Sequence, residues 1–341
     1  MMKKTFAAFG AAAVATLALL ASPASLAQGK GETVKFQDYP GIGNVLVRVA
    51  AAKGMCERAG IKCEMQMIPA APLGAQAMLA GSITSFMGPS EVMTNAVLKG
   101  SKMKMVTGGA VSVVLLLIAG NHVDTPNAGK GWPAFMQDFK GKKIGVTARG
   151  AATETWMSYM LQKAGMKADD VTYVAVGGPN TAFPSLANKQ VDGLMTFEPL
   201  GAMCDVLKAC KRIWTAATDK EPADIFAMNG GGVGNVFAQE YIDKNPHVID
   251  AVIRAIKEAD SFVNNPANFD EVNKIVQGYF KLEMPRGDEI MRHSLKLAID
   301  AGTYKASVNR KAVQQALDLL VSTKHLERAL PLTELLHEKL P

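Results

Sequence analysis

Two stretches of this chain repeat the same order of apolar and amphipathic segments, and the repeat limits the possible folds more than any other feature. Residues 34–100 and 142–203 each alternate short strand-like runs with helical runs. Short motifs recur at equivalent positions of the two stretches: GIK at 60–62, for example, matches GMK at 165–167. Alternating strands and helices form parallel βαβ units, and an internal repeat indicates equivalent structural units. The sequence therefore predicts an α/β protein with two similar lobes rather than one continuous sheet.

The final third of the chain has a different pattern, which sets the predicted division into lobes. After residue 241 the sequence reads as successive amphipathic helices separated by prolines. We expect residues 28–119 and 236–341 to form lobe one, and residues 120–235 to form lobe two. The glycine-rich run at 229–235 lacks the strand-to-helix context of a dinucleotide-binding motif, so we interpret it as a hinge or strand bend.

The first 27 residues have the pattern of a secretory signal peptide. Lys3 and Lys4 precede an apolar run rich in Ala and Leu, and Ser25 and Ala27 are small residues at the −3 and −1 positions of a cleavage site. An N-terminal membrane anchor is the alternative, but an alanine-dominated core favours cleavage. We therefore predict residues 1–27 to be removed and the mature protein to be periplasmic.

The charge distribution argues against a nucleic-acid partner. The formal net charge of +6 falls to +4 without Lys3 and Lys4, and the positive residues form no long basic run. The apolar run that begins at Val111 is too short to cross a bilayer as a helix and suits a buried strand.

Four cysteines form two pairs that are close in sequence. Cys56 and Cys63, like Cys204 and Cys210, flank a return from a helix to a strand. In an oxidising compartment this spacing predicts two local disulfides, Cys56–Cys63 and Cys204–Cys210. Buried free thiols are the alternative. A metal cluster is not indicated, because the chain has no CxxC motif and no histidine accompanies these cysteines.

The turns after the predicted strands are the candidate ligand site. Ligands of open parallel sheets bind beyond the carboxyl ends of the strands, where helix N-termini favour anions. The turn TARGAATE at 147–154 adds the guanidinium of Arg149, and Gly150 lets the backbone approach a ligand closely. We interpret this turn as an anion site at a helix that starts near Ala152. The alternative is that Thr153 caps the helix and Arg149 points to solvent.

Four longer segments carry a family resemblance. DFKGKKIGVTARGAATETWMSYMLQKAGMKADDVTYVAVGG at 138–178 and LANKQVDGLMTFEP at 186–199 resemble the second lobe of nitrate/sulfonate/taurine-type ABC transporter substrate-binding proteins. Residues 78–106 and 236–266 resemble stretches of the first lobe. The resemblance implies a type II periplasmic binding protein fold, related to thiamine-pyrimidine binders, with a cleft between two βαβ lobes and C-terminal helices on lobe one. It also implies that seven residues lie near the ligand: Tyr39, Asn44, Ser90, Arg149, Thr153, Asn180 and Glu198.

Two residues indicate the class of ligand: one differs from the residue that many relatives have, and the other carries a negative charge. Many relatives carry a serine after the glycine of the GVT..G turn, whereas this chain has Ala151 and lacks that hydroxyl donor. Glu198 would repel an anion unless it binds a hydroxyl or amine of the ligand. We therefore predict a small organic anion, a sulfonate or carboxylate, with aromatic acids among the candidates, instead of inorganic nitrate. The protein is expected to be a monomer without a cofactor that delivers this ligand to an ABC permease with its ATPase.

Enzyme signatures are missing from the sequence. The five histidines are scattered, and no HExxH, GxSxG or P-loop motif occurs. We predict a binding protein that is not an enzyme and has no metal site. Two alternatives stay open: an enzyme on the same fold acting on a pyrimidine-like molecule, and a periplasmic receptor that signals to a membrane sensor.

Overall fold

The computed structural model describes residues 29–341, so the predicted signal peptide at 1–27 lies outside the described residues. The strands are β1 (Glu32–Asp38), β2 (Ile61–Met67), β3 (Ser85–Pro89), β4 (Met103–Gly108), β5 (Leu115–Gly120), β6 (Lys143–Val146), β7 (Thr172–Ala175), β8 (Gly193–Phe197), β9 (Cys210–Thr215) and β10 (Val233–Ala238). The helices of the first half are α1 (Val45–Ala52), α2 (Met55–Arg58), α3 (Ala71–Leu79), α4 (Ser90–Leu98), α5 (Ala152–Lys163), α6 (Pro179–Ala187) and α7 (Leu200–Leu207). Those of the second half are α8 (Ala223–Phe226), α9 (Gln239–Lys244), α10 (Pro246–Val263), α11 (Phe269–Tyr279), α12 (Gly287–Asp300), α13 (Arg310–Ser322) and α14 (Leu332–Leu335). None of the helices in this part of the chain combines the length and apolarity needed to cross a membrane.

The strands form two sheets of five, one for each lobe. The first sheet has the order β2-β1-β3-β10-β4, and the second has the order β7-β6-β8-β5-β9. In each sheet the first three strands are parallel, and the fourth strand, β10 or β5, runs antiparallel to both of its neighbours. The equivalent strand orders confirm the predicted α/β fold of two similar lobes.

The border between the lobes differs from the predicted one. β5 pairs with β8 and β9 in the second sheet, whereas residues up to 119 were assigned to lobe one. Likewise β10 pairs with β3 and β4 in the first sheet, although it begins before residue 236. The six residues of β5 are all buried because it is an interior strand. The chain therefore crosses between the sheets at 109–114 and again at 216–232.

The helices cover both sheets, and one C-terminal helix reaches lobe two. α10 packs against α1 and α2, and α13 packs against α4, which places both on lobe one as predicted. α12 packs instead against α7, and Arg286, just before α12, donates from Nη1 to the carbonyl of Val206 at 2.9 Å. α1 and α2 are separated at Gly54, whose φ of +66° is left-handed.

Both predicted cysteine pairs are disulfides in the structure. Cys56 of α2 bonds to Cys63 of β2, and Cys204 of α7 bonds to Cys210 at the start of β9. Each disulfide therefore links a helix to the strand that follows it.

Candidate ligand-binding site

A cavity of about 250 Å³ lies between the two lobes. Lobe one contributes Tyr39 and Met87, lobe two contributes Thr153 and Phe197, and Tyr304 comes from the segment after α12. Most of the other lining residues are apolar. Cavities with apolar walls and a few placed polar groups are typical of small-molecule sites.

The turn after β1 forms one wall, and the buried Arg48 holds it in position. Arg48 donates from Nε to Asp38 at 2.9 Å, and from its two terminal nitrogens to the carbonyls of Gly41 and Tyr39 at 2.7 Å each. Burial raises the pKa of the Asp38 carboxyl, although the charge and hydrogen bond of Arg48 oppose this effect. Tyr304 Oη donates to the carbonyl of Ile42 at 2.6 Å, so the turn is anchored on both sides.

The two lobes touch at the rim of the cavity. The rings of Tyr39 and Phe197 meet edge to face, with centroids 5.4 Å apart. Gly41 lies so close to lobe two that an added Cβ would come within 2.9 Å of the carbonyl oxygen of Glu198. Burial raises the pKa of Tyr39 to about 12. The two lobes are therefore in contact at one side of the cavity.

The start of α5 forms the wall on the lobe-two side. Ala151, Ala152 and Thr153 line the cavity. The N-cap residue Ala151 has no side chain that could accept a hydrogen bond from the first turn of the helix. The N–H of Glu154 donates to the carbonyl of Ala151 at 3.0 Å, whereas the earlier N–H groups of a helix have no acceptor within it. Thr153 Oγ1 is 3.1 Å from both the amide nitrogen and the hydroxyl of Thr147, which fixes the turn between β6 and α5.

Arg149 is not among the residues that line this cavity. Its side chain is 64% exposed and forms hydrogen bonds of 2.9 and 2.8 Å with the carboxylate of Glu154. Gly150, also outside the cavity lining, donates its N–H to the same carboxylate at 2.7 Å. Burial disfavours the Glu154 anion, but the hydrogen bonds from Arg149 and Gly150 outweigh that effect and lower its pKa. Because Glu154 already neutralises Arg149, the alternative interpretation of a solvent-facing Arg149 describes this structure.

A second arginine, which the sequence analysis missed, does line the cavity. Arg212 of β9 contacts Glu198 at 2.8 Å and Asp205 at 2.6 Å, and all three residues belong to the lining. Burial opposes the charge of Arg212, yet the two carboxylates raise its pKa. Glu198 also accepts the N–H of Ala202 at 2.9 Å, in the first turn of α7. The sequence of β9 looks like that of an ordinary strand after a helix. A charged residue on this strand is the only feature of the sequence that could have pointed to Arg212.

The remaining predicted residues have other positions. Asn44 is buried and donates to the carbonyl of Gln37 at 2.8 Å, so it stabilises the turn after β1 from the side away from the cavity. Ser90 lines an adjoining recess, and Asn180 is exposed and outside the lining. Of the eight predicted residues, all within the described part of the chain, Tyr39, Thr153 and Glu198 are those that line the cavity.

Two five-stranded α/β lobes with a largely apolar cavity between them define the fold of two-lobed solute-binding proteins. The chain belongs to the NMT1-like family, whose sequence pattern matches residues 39–277. A protein of Brucella abortus (strain 2308) that is named as a binding protein is 27% identical over 243 residues, which cover 71% of this chain and 69% of the relative. These matches agree with the predicted resemblance to the nitrate/sulfonate/taurine-type binding proteins.

Solved structures have the same fold. The ligand-binding component of an ABC-type import system from Staphylococcus aureus, described with zinc bound, has a TM-score of 0.70 and 14% identity, over 91% of this chain and 97% of the other. The alkanesulfonate-binding protein SsuA from Xanthomonas axonopodis pv. citri, bound to MOPS, has a TM-score of 0.65 and 15% identity, over 87% and 94%. The chain thus shares its fold with these two binding proteins.

Proposed function

We propose that this protein is the periplasmic substrate-binding component of an ABC importer and that it captures a small organic anion, a carboxylate or sulfonate with an apolar body. The observation that carries the proposal is the cavity of about 250 Å³ between the lobes, which residues of both lobes line. A ligand that bridges the lobes stabilises their closed arrangement, which a permease can distinguish from the open one. The family relationship and the shared fold support this role.

The start of α5 supports an anionic end for the ligand. A helix N-terminus carries partial positive charge and unpaired N–H groups, both of which favour an anion. Ala151 leaves those groups without a side-chain acceptor, and Ala152 and Thr153 belong to the cavity wall. Arg212 offers no unpaired positive charge to a ligand, because it already pairs with two carboxylates, those of Glu198 and Asp205.

The rest of the wall supports an apolar body. Met87, Val113, Leu116, Phe197 and Leu297 line the cavity and offer no hydrogen bonds to an inorganic ion such as nitrate. An ion bound mainly by such groups would lose its hydration without replacement. An organic acid places its apolar part against these residues and its charge at α5.

Two substitutions of equal size test the sign of the ligand's charge. Ala151→Asp and Ala151→Asn both place a capping side chain at the start of α5, but the Asp side chain adds a negative charge. A thermal-shift screen of small carboxylates, sulfonates, aromatic acids and pyrimidines identifies a binder, because a ligand that binds only the folded state raises the unfolding temperature. An anionic binder should then bind the Asp variant at least tenfold more weakly than the Asn variant, since two like charges about 5 Å apart repel by about 3 kcal/mol at an effective dielectric constant of about 20. Equal affinities would refute an anionic end at α5.

Closure is tested separately by small-angle scattering. Saturation with the best binder should reduce the radius of gyration, because the lobes rotate together about the crossover segments 109–114 and 216–232. An unchanged radius would contradict hinge closure.

A further inference from the structure

A small recess of about 50 Å³ adjoins the main cavity. The recess and the cavity share six lining residues: Pro89, Val113, Val114, Leu115, Ala152 and Val233. α4 of lobe one and α5 of lobe two both border the recess, the latter through Trp156. The recess and the cavity are therefore neighbours that share part of their walls.

Glu91 of α4 lines this recess as a buried carboxyl group. The residue is 5% exposed, and no protein donor among residues 29–341 is within hydrogen-bonding geometry of its Oε1 atom. Burial raises the pKa of Glu91 to about 7, although hydrogen bonding with its own backbone N–H, Trp156 and Ser90 lowers it in part. Those side chains approach the carboxyl group without supplying a donor to Oε1. Glu91 is also the one titratable residue among the described residues that line the recess.

The environment of Glu91 differs from that of another buried carboxyl group in the same protein. Asp38 is equally buried, but it faces the guanidinium of Arg48, which donates to it at 2.9 Å. An unpaired buried acceptor destabilises the folded protein, and a buried charge does so more strongly. Apolar residues of similar size would fill the position of Glu91 without that cost. Its carboxyl group therefore has a use that the packing of the recess does not explain.

We propose that the recess is a second subsite, in which Glu91 Oε1 accepts a hydrogen bond from an N–H or O–H group of the ligand. The subsite rests on the function proposed for the main cavity and narrows the ligand class. The ligand carries its anionic end at the start of α5, an apolar body along the cavity wall, and a hydrogen-bond donor that enters the recess. An amino- or hydroxy-substituted aromatic acid has this combination of groups.

Matched probe pairs test the subsite. The probes are the 3- and 4-amino and hydroxy derivatives of benzoate and of benzenesulfonate, each compared with the methyl derivative at the same position, which has similar size and no donor. Wild-type protein should bind the best donor-bearing probe at least tenfold more tightly than its methyl partner. The Glu91→Met variant should lose this preference, whereas Glu91→Gln should keep part of it because an amide oxygen also accepts. Equal affinity within every pair, or a preference that persists in Glu91→Met, would overturn the subsite.

The stability of the ligand-free variants distinguishes failure of the subsite from failure of the proposed ligand class. At pH 8, Glu91→Met should unfold at the same temperature as wild type or at a higher one, because it removes an unpaired buried carboxylate. Glu240→Met, in the first turn of α9, is the exposed control and should change little. A melting temperature several degrees below wild type for Glu91→Met would show that Glu91 serves the packing of α4, and the subsite would be wrong. If none of the probes bound wild type, the proposed ligand class would be wrong, and the melting temperature of Glu91→Met would still decide the role of Glu91.

Discussion

The buried carboxyl group of Glu91 predicts an unusual pH dependence of stability. Burial raises the pKa of Glu91 from 4.5 to about 7 in the folded protein. The folded state therefore binds a proton that the unfolded state has released between these two pH values. The resulting stabilisation is fully present below pH 4.5, is lost as the pH rises to about 7, and changes little above that. A pKa difference of about 2.5 units corresponds to about 3 kcal/mol at about 1.4 kcal/mol per unit.

The measurement is urea unfolding of wild type and Glu91→Gln at several pH values from 5 to 8, with both disulfides intact. Glutamine has nearly the size of glutamate and does not titrate, so the difference between the two proteins isolates Glu91. Burial lowers the pKa of His325 and His337, which makes stability rise with pH below about 6.5, but this contribution is common to both proteins. The free energy of unfolding of the variant relative to wild type should increase by about 2 to 3 kcal/mol from pH 5 to pH 8. Parallel pH profiles would refute the reasoning, because they would mean that Glu91 titrates near its ordinary value in the folded protein.

Three further predictions concern groups near the site. Arg149→Ala should change ligand affinity by less than about twofold, because Arg149 is exposed and paired with Glu154; calorimetry showing a tenfold loss would return Arg149 to the site. Arg48→Met should lower the free energy of unfolding by about 3 to 5 kcal/mol, because it leaves Asp38 buried without its partner, and adding Asp38→Asn should recover part of that loss; a single variant as stable as wild type in urea would contradict this. Replacing Cys204 and Cys210 by alanine should cost about 2 kcal/mol, and non-reduced peptide mass spectrometry of wild type should find both disulfides; free thiols there would contradict the pairing.

The candidate site could be predicted only in part, and Arg149 shows why. A turn rich in small residues before an amphipathic helix predicted the start of α5 at Ala152, where the structure has it. The same pattern does not show which partner an arginine finds. Glu154 lies five residues away on the same turn and pairs with Arg149 before any ligand arrives. Arg212 is brought to the cavity by the pairing of β9 with β5, a contact between strands about 95 residues apart in sequence that no local pattern reports.

The sequence by itself determined the features that depend on short-range periodicity. The internal repeat predicted two similar α/β lobes, and the spacing of Cys56 from Cys63 predicted a local disulfide, because both depend on segments that are neighbours along the chain. The tertiary structure alone decided which sheet receives β5, since an apolar run of six residues fits an interior strand of either sheet equally well. It also decided that Glu91 is buried without a donor to Oε1. Burial of a side chain depends on what packs against it from elsewhere in the chain, here α5 and its Trp156, which lie far from Glu91 in the sequence.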